Sequence, residues 1–150
     1  MFNILVACTA NICRSPAAQS FLRLALKDTL VSVDSAGIFA IDGNTADPMI
    51  QTLMYERGHQ NLSKHRSNVL LPSHVSKYQL ILCMENSHLT YLQQANMSSV
   101  GKIMLLGHWE NLQEVADPTG QTRADYDHAL VKMEKFSLQW ANKIIDLGMF

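Results

Sequence analysis

Phe2-Asn3-Ile4-Leu5-Val6-Ala7, then Cys8-Thr9-Ala10-Asn11-Ile12-Cys13-Arg14, then Ser15-Pro16, is the stretch from which the architecture can be read. Ile4, Leu5 and Val6 stand in a row, as in a strand buried on both faces. Small and polar residues follow the run. Ser15-Pro16 then opens a helix: serine suits the N-cap, and proline in the first turn gives up no needed N–H. Strand, short loop and helix in that order begin a parallel crossover unit.

The rest of the chain repeats the alternation. Ala17, Ala18, Phe21, Leu22, Leu24, Ala25 and Leu26 give the first helix a broad apolar face. Residues 31–35 read as a second strand. Asp47-Pro48 repeats the cap-plus-proline start and Gly58 supplies a stop, so a helix is predicted over residues 48–57. Residues 78–84 (YQLILCM) form a third strand, residues 87–95 a helix and residues 102–106 a fourth strand. Tyr126, Leu130, Met133, Phe136, Trp140, Ile144 and Leu147 advance by three or four, the core stripe of a last helix. The predicted fold is α/β: one domain over residues 1–150, a four-stranded parallel sheet with helices on both faces and an anion-binding loop after strand 1. Ligands of such sheets sit beyond the carboxyl ends of the strands at a switch point, which is where that loop lies.

Composition bounds the function. The 150 residues carry 12 Lys and Arg against 13 Asp and Glu, so a general nucleic-acid binder is excluded. No apolar run reaches the ~18 residues of a spanning helix, so no membrane span is expected. Leu5-Val6-Ala7-Cys8 resembles the cleavage box of bacterial lipoproteins. No Lys or Arg precedes it, however, and Asn3 interrupts a run too short for a leader. Three cysteines cannot all pair within one chain, which argues against a disulfide framework and for a reducing cytoplasm. The six histidines lack zinc-motif spacing, and no metal or cofactor is expected.

Cys8 and Arg14 bracket the loop, with five residues between them. Such a pair is a weak signal by itself. A strand end on one side and a helix start on the other give it weight. Five residues can curl so that successive N–H groups of Thr9, Ala10, Asn11, Ile12 and Cys13 point inward as an anion nest. The helix adds its N-terminal dipole. Arg14 can grip two phosphate oxygens bidentately. Cys8 would lie below the phosphorus as nucleophile. An ordinary thiol is about 3% ionised at pH 7, so full ionisation gains only ~30-fold. Most acceleration must therefore come from positioning and from stabilising charge on the transferring group.

V-x-C-x-x-N-x-C-R-S-P at the N-terminus resembles the low-molecular-weight protein tyrosine phosphatases. Val33-Asp34-Ser35-Ala36-Gly37, Leu62-Ser63-Lys64-His65-Arg66-Ser67, Leu80-Ile81-Leu82-Cys83-Met84-Glu85 and Asp117-Pro118 extend the resemblance to about residue 145. Gly107-His108-Trp109-Glu110 is similar to the bacterial branch that accompanies exopolysaccharide or capsule tyrosine autokinases. The resemblance implies a cytoplasmic phosphotyrosine hydrolase working through a cysteinyl-phosphate, with such an autokinase as possible substrate. Cys8 would be nucleophile, Arg14 the phosphate clamp and Asp117 the acid, then base. Asn11, Ser15, Ser35 and His65 would support the loop, with Ser15 also steadying the thiolate. Phosphate or sulfate would occupy the loop, and a monomer is expected.

Two departures stand out. Ala10 occupies a position where the family usually has glycine; it adds strain if that position needs positive φ and is benign otherwise. Thr119 replaces an aromatic residue common after Asp-Pro, leaving Phe39 and Ile41 as candidates for a wall of the substrate slot. Cys13 either packs beneath the loop or captures an oxidised Cys8. Cys83, inside an apolar strand, reads as inert, and Asp47 as a cap. The competing readings are an arsenate reductase of the same fold and a catalytically silent phosphotyrosine-binding module with Ala10 as the defect. The first would pass a disulfide to two further cysteines, but only Cys83 follows the loop.

Overall fold

The computed structural model of the chain describes residues 1–59 and 61–148. The predicted domain limit at residue 150 lies outside them. Four strands, β1 (Asn3–Cys8), β2 (Ser32–Gly37), β3 (Leu80–Cys83) and β4 (Ile103–Leu105), form one sheet in the order β2-β1-β3-β4. All three pairings are parallel, with Val6 opposite Ser35 on one side and Leu82 on the other. The helices are α1 (Arg14–Ala25), α2 (Pro48–Glu56), α3 (Asn86–Ala95) and α4 (Arg123–Asp146), with three short 3₁₀ segments between them.

The period of two along β1 sorts the core into two layers. Ile4, Val6 and Cys8 pack with residues of α1, α2 and α4. Leu5 and Ala7 pack with Ala36, Val75, Ile81, Cys83, Leu92 and Ile103 on the other face. Helices thus cover both faces, as predicted. On α4, Tyr126, Leu130, Met133, Phe136, Trp140 and Ile144 are buried. Leu147 departs from the prediction: it caps the helix and is exposed. Leu24 is exposed too, because it falls out of phase with Ala17, Ala18, Phe21 and Leu22 on the inner face of α1. Asp47 caps α2 by accepting from the N–H groups of Met49 and Ile50.

One helix start differs from the sequence reading. α1 begins at Arg14 with Cys13 as N-cap and no side-chain cap bond, and Ser15 lies inside the first turn. The Ser15 hydroxyl is engaged elsewhere, by Cys8 and Asn11, so it does not cap the helix.

The order β2-β1-β3-β4 reverses direction between β1 and β3, so the crevice lies beyond their carboxyl ends. Cys8 ends one of these strands and Cys83 the other. Gly37, at the end of β2, closes the crevice from the side. A Cβ there would stand 2.7 Å from the Thr9 carbonyl oxygen and 2.9 Å from the Asn11 nitrogen. Gly37→Ala must push the loop aside, and this overpacking costs about 1–3 kcal/mol and lowers the unfolding midpoint by roughly 3–10 °C. Thermal unfolding followed by circular dichroism checks this; an unchanged midpoint would contradict the packing.

Candidate active site

Cys8 lies at the end of β1, and six residues, Thr9 to Arg14, carry the chain from there into α1. None of these six backbone N–H groups donates to another group among the described residues. The loop thus keeps a run of six successive N–H donors that no described acceptor occupies.

The left-handed residue of the loop is Asn11, at φ 58°, not Ala10. Asparagine tolerates that conformation better than most residues. Alanine at position 10 therefore carries no penalty of the kind glycine would relieve. Asn11 is wholly buried, and every polar atom of its side chain is engaged. Its Oδ1 accepts the N–H of Asn68 at 2.9 Å. This fixes which end of the amide is which. Nδ2 then donates to Ser15 Oγ at 2.8 Å and to Ser35 Oγ at 3.0 Å. Ser35 passes its own proton to Gln19 Oε1 at 2.8 Å. Ser15 Oγ, already an acceptor from Asn11, stands 2.9 Å from Cys8 Sγ and has its proton free for the sulfur.

His65 completes the support. Its Nε2 lies 2.7 Å from the Asn11 carbonyl oxygen, so Nε2 carries the proton and donates. Burial draws the His65 pKa below the ordinary imidazole range; the bond to Asn11 opposes this, while Arg66 and Arg23 add to it. The four predicted supports, Asn11, Ser15, Ser35 and His65, are thus brought together. Gln19 and Asn68 belong to the same network and carry no signal in the sequence beyond being polar.

Arg14 is 2% exposed. Its Nη1 donates to Glu85 Oε2 at 2.6 Å and to the Val115 carbonyl at 2.9 Å. Nη2 stands 4.0 Å from Asp117 Oδ2. Nε and Nη2 donate to no acceptor among the described residues, so one edge of the guanidinium keeps both of its donors. Glu85 was not singled out in the sequence. The position that could have marked it is the N-cap of α3, two residues beyond β3 and across the switch point from the loop. Val115 also accounts for where Asp117 stands: its N–H donates to the Met84 carbonyl, tying the segment of Asp117 to the end of β3.

Asp117 has a half-exposed side chain. Burial pulls its pKa up, but the Thr119 hydroxyl and N–H, then Arg14 and His88, outweigh this and leave it below the usual carboxylate value. Thr119 donates to Oδ1 through Oγ1 at 2.6 Å and through its N–H at 3.1 Å. The residue standing in for an aromatic wall thus orients the carboxylate. Phe39 and Ile41 are 67% and 73% exposed beside the loop, where the Phe39 N–H donates to the Thr9 carbonyl. Phe39 meets Tyr91 of α3 edge to face at 5.3 Å. Ile12 is half-buried, and its carbonyl accepts from Asp47.

The other two cysteines differ from Cys8. Cys13 is buried, and burial, Asp47 and Asp117 raise its pKa against the opposing Thr119 hydroxyl. Cys83 is fully buried and pushed up to about 12 by burial and by Cys8. A thiol so placed is no partner for a disulfide relay, which removes the arsenate-reductase chemistry weighed above. Thr119→Val removes the hydroxyl donor, so the Asp117 carboxyl should titrate at higher pH than in the wild type. Carbon-13 NMR of the carboxyl reads this directly; an unmoved titration would contradict the assignment to Thr119.

The family model for low molecular weight phosphotyrosine protein phosphatase matches residues 3–146. Wzb of Escherichia coli K12, a low molecular weight protein-tyrosine-phosphatase, is 36% identical over 95% of both chains. AmsI of Erwinia amylovora, a probable enzyme of the same kind, is 35% identical over 95% of this chain and 96% of its own. The crystal structure of Wzb from Escherichia coli K30, in complex with sulphate, superposes with a TM-score of 0.89 at 35% identity, covering 96% of this chain and 99% of that one. With fold, loop and these relatives in agreement, the chain belongs to the low molecular weight protein-tyrosine phosphatases, hydrolases that act through a cysteine nucleophile.

Proposed function

We propose that Cys8, Arg14 and Asp117 carry the phosphatase reaction, with the chain of donors from Asn68 through Asn11 and Ser15 to the Cys8 sulfur as the observation that bears most weight. The phosphoryl group of phosphotyrosine binds in the ring of amides from Thr9 to Arg14. Its dianion meets the free edge of Arg14. The Cys8 thiolate attacks phosphorus in line, forming the S–P bond as the P–O bond to the phenol breaks. Asp117 gives its proton to the departing oxygen. Water then attacks phosphorus, Asp117 takes the proton, the S–P bond breaks and the thiolate returns.

An acid must hold its proton, yet the carboxylate of Asp117 is favoured in the unliganded site. Substrate resolves the conflict. A phosphoryl dianion beside a carboxylate raises the carboxyl pKa by like-charge repulsion and occupies Arg14, one of the groups that lowered it. Proton affinity thus rises on binding, when the acid is needed.

The substrate in the cell is a tyrosine-phosphorylated protein, and an autokinase of polysaccharide export is the proposed one. What supports this is the Gly107-His108-Trp109-Glu110 segment together with the similarity to the bacterial protein-tyrosine-phosphatases AmsI, Wzb and EpsP. The enzyme is proposed to act in the cytoplasm as a monomer. No helix among the described residues is long and apolar enough to cross a membrane.

Hydrolysis of p-nitrophenyl phosphate and of a tyrosine-rich phosphopeptide by three proteins tests the reading. Cys8→Ser should show no turnover. Asp117→Asn should lose about 10²–10⁴-fold in kcat, more for phosphotyrosine than for the better nitrophenolate leaving group. Turnover that survives Cys8→Ser would overturn the assignment, and tight phosphopeptide binding without turnover by the wild type would favour a binding module.

A further inference from the structure

His88 touches the loop at Thr9, where His65 touches it at Asn11, and has no part in the support network. It is buried, three residues after Glu85, at the start of α3. Its Nδ1 accepts the backbone N–H of Glu85 at 3.2 Å. Its Nε2 stands 2.9 Å from Thr9 Oγ1. These two contacts fix the direction of the second. Were Nδ1 to carry the proton, two N–H groups would face each other. The neutral ring therefore has its proton on Nε2 and donates it to the Thr9 hydroxyl oxygen. Burial and then Arg14 hold His88 in the neutral form, against the opposing pull of Glu85, Glu114 and Asp117. The approach of Glu85 Oε2 to Nε2, at 3.8 Å, is accordingly not an ion pair.

The consequence falls on Thr9. Its oxygen accepts from His88, and its own hydroxyl proton has no acceptor among the described residues. Thr9 follows the Cys8 sulfur directly in the chain, and its backbone N–H is the first of the open ring. The acceptor oxygens this ring is shaped to receive are those of a phosphoryl group. We propose that the Thr9 hydroxyl is a further hydrogen-bond donor to the phosphoryl oxygens of the substrate, and that His88 is the positioning residue that turns its proton toward them. Arg14 and Thr9 are then aimed by neighbouring residues at the start of α3: Glu85 orients the guanidinium, and His88 orients the hydroxyl.

Steady-state hydrolysis of p-nitrophenyl phosphate and competitive inhibition by inorganic phosphate test this in Thr9→Val, Thr9→Ser, His88→Leu and the double variant Thr9→Val/His88→Leu. Loss of one donor to a charged group should lower kcat/KM about tenfold in Thr9→Val and weaken inorganic phosphate about fivefold. Thr9→Ser, which keeps the hydroxyl, should stay within about twofold of the wild type. His88→Leu should match the loss of Thr9→Val, and adding it to Thr9→Val should cost nothing more. Thr9→Val with wild-type kcat/KM and phosphate inhibition would overturn the proposal whatever His88→Leu does. An equal His88→Leu loss in both Thr9 backgrounds would overturn the positioning role, since a merely structural histidine behaves that way. The two Thr9 variants decide the donor role even if His88→Leu does not fold.

Discussion

The side-chain amide of Asn11 is buried and held from both ends, its oxygen by the Asn68 N–H and its nitrogen by two serine hydroxyls. An amide in that setting has no freedom to flip, because the flipped form would set N–H against N–H in a site closed to water. The orientation of every downstream hydroxyl follows. Ser15 is left with one proton and one place to put it, the Cys8 sulfur. The same residue holds the left-handed turn of the loop, with His65 gripping its carbonyl. The proposed nucleophile and the loop that follows it therefore depend on one residue, and that residue depends on a backbone N–H from a segment far away in sequence.

Charge is arranged on the same economy. Arg14 is a buried cation, which is tolerable only with partners in place. Glu85 supplies one at 2.6 Å and the Val115 carbonyl another, while Asp117 stands further off and half exposed. Close pairing with Glu85 keeps the guanidinium stable when the loop is empty without occupying its whole donor set. Asp117, at the looser distance, is the carboxylate proposed to exchange a proton. In a chain of nearly zero net charge the positive field is thus local: one guanidinium, six amides and a helix terminus.

Much of this was legible in the sequence for identifiable reasons. The four strands and four helices follow from apolar runs and from the period of α4, both read directly along the chain. The loop was legible because its parts are adjacent: Cys8 and Arg14 need only a strand before them and a helix after. The misses share a different cause. Glu85, His88, Asn68 and Gln19 reach the loop across the sheet or from neighbouring segments, and only Glu85 has a position, after β3 at the switch point, that marks it. Ser15 was misjudged as a cap because its local chemistry fits one, while a tertiary contact with Cys8 claims the hydroxyl. Leu24 and Leu147 look like core from composition, and only helical phase and the helix end expose them. Ala10 shows the reverse case. The sequence left its cost open, and the backbone settles it by placing the left-handed turn one residue later.

The most direct test of this account is kcat for p-nitrophenyl phosphate in Asn11→Asp. Aspartate also tolerates the left-handed turn, but it cannot donate to Ser15 or Ser35. The account predicts a fall of about 100-fold or more, since the Ser15 proton is no longer directed to the sulfur and an acceptor replaces a donor beside it. A folded Asn11→Asp protein with kcat within about threefold of the wild type would contradict the claim that the Asn11 amide sets the polarity of the site.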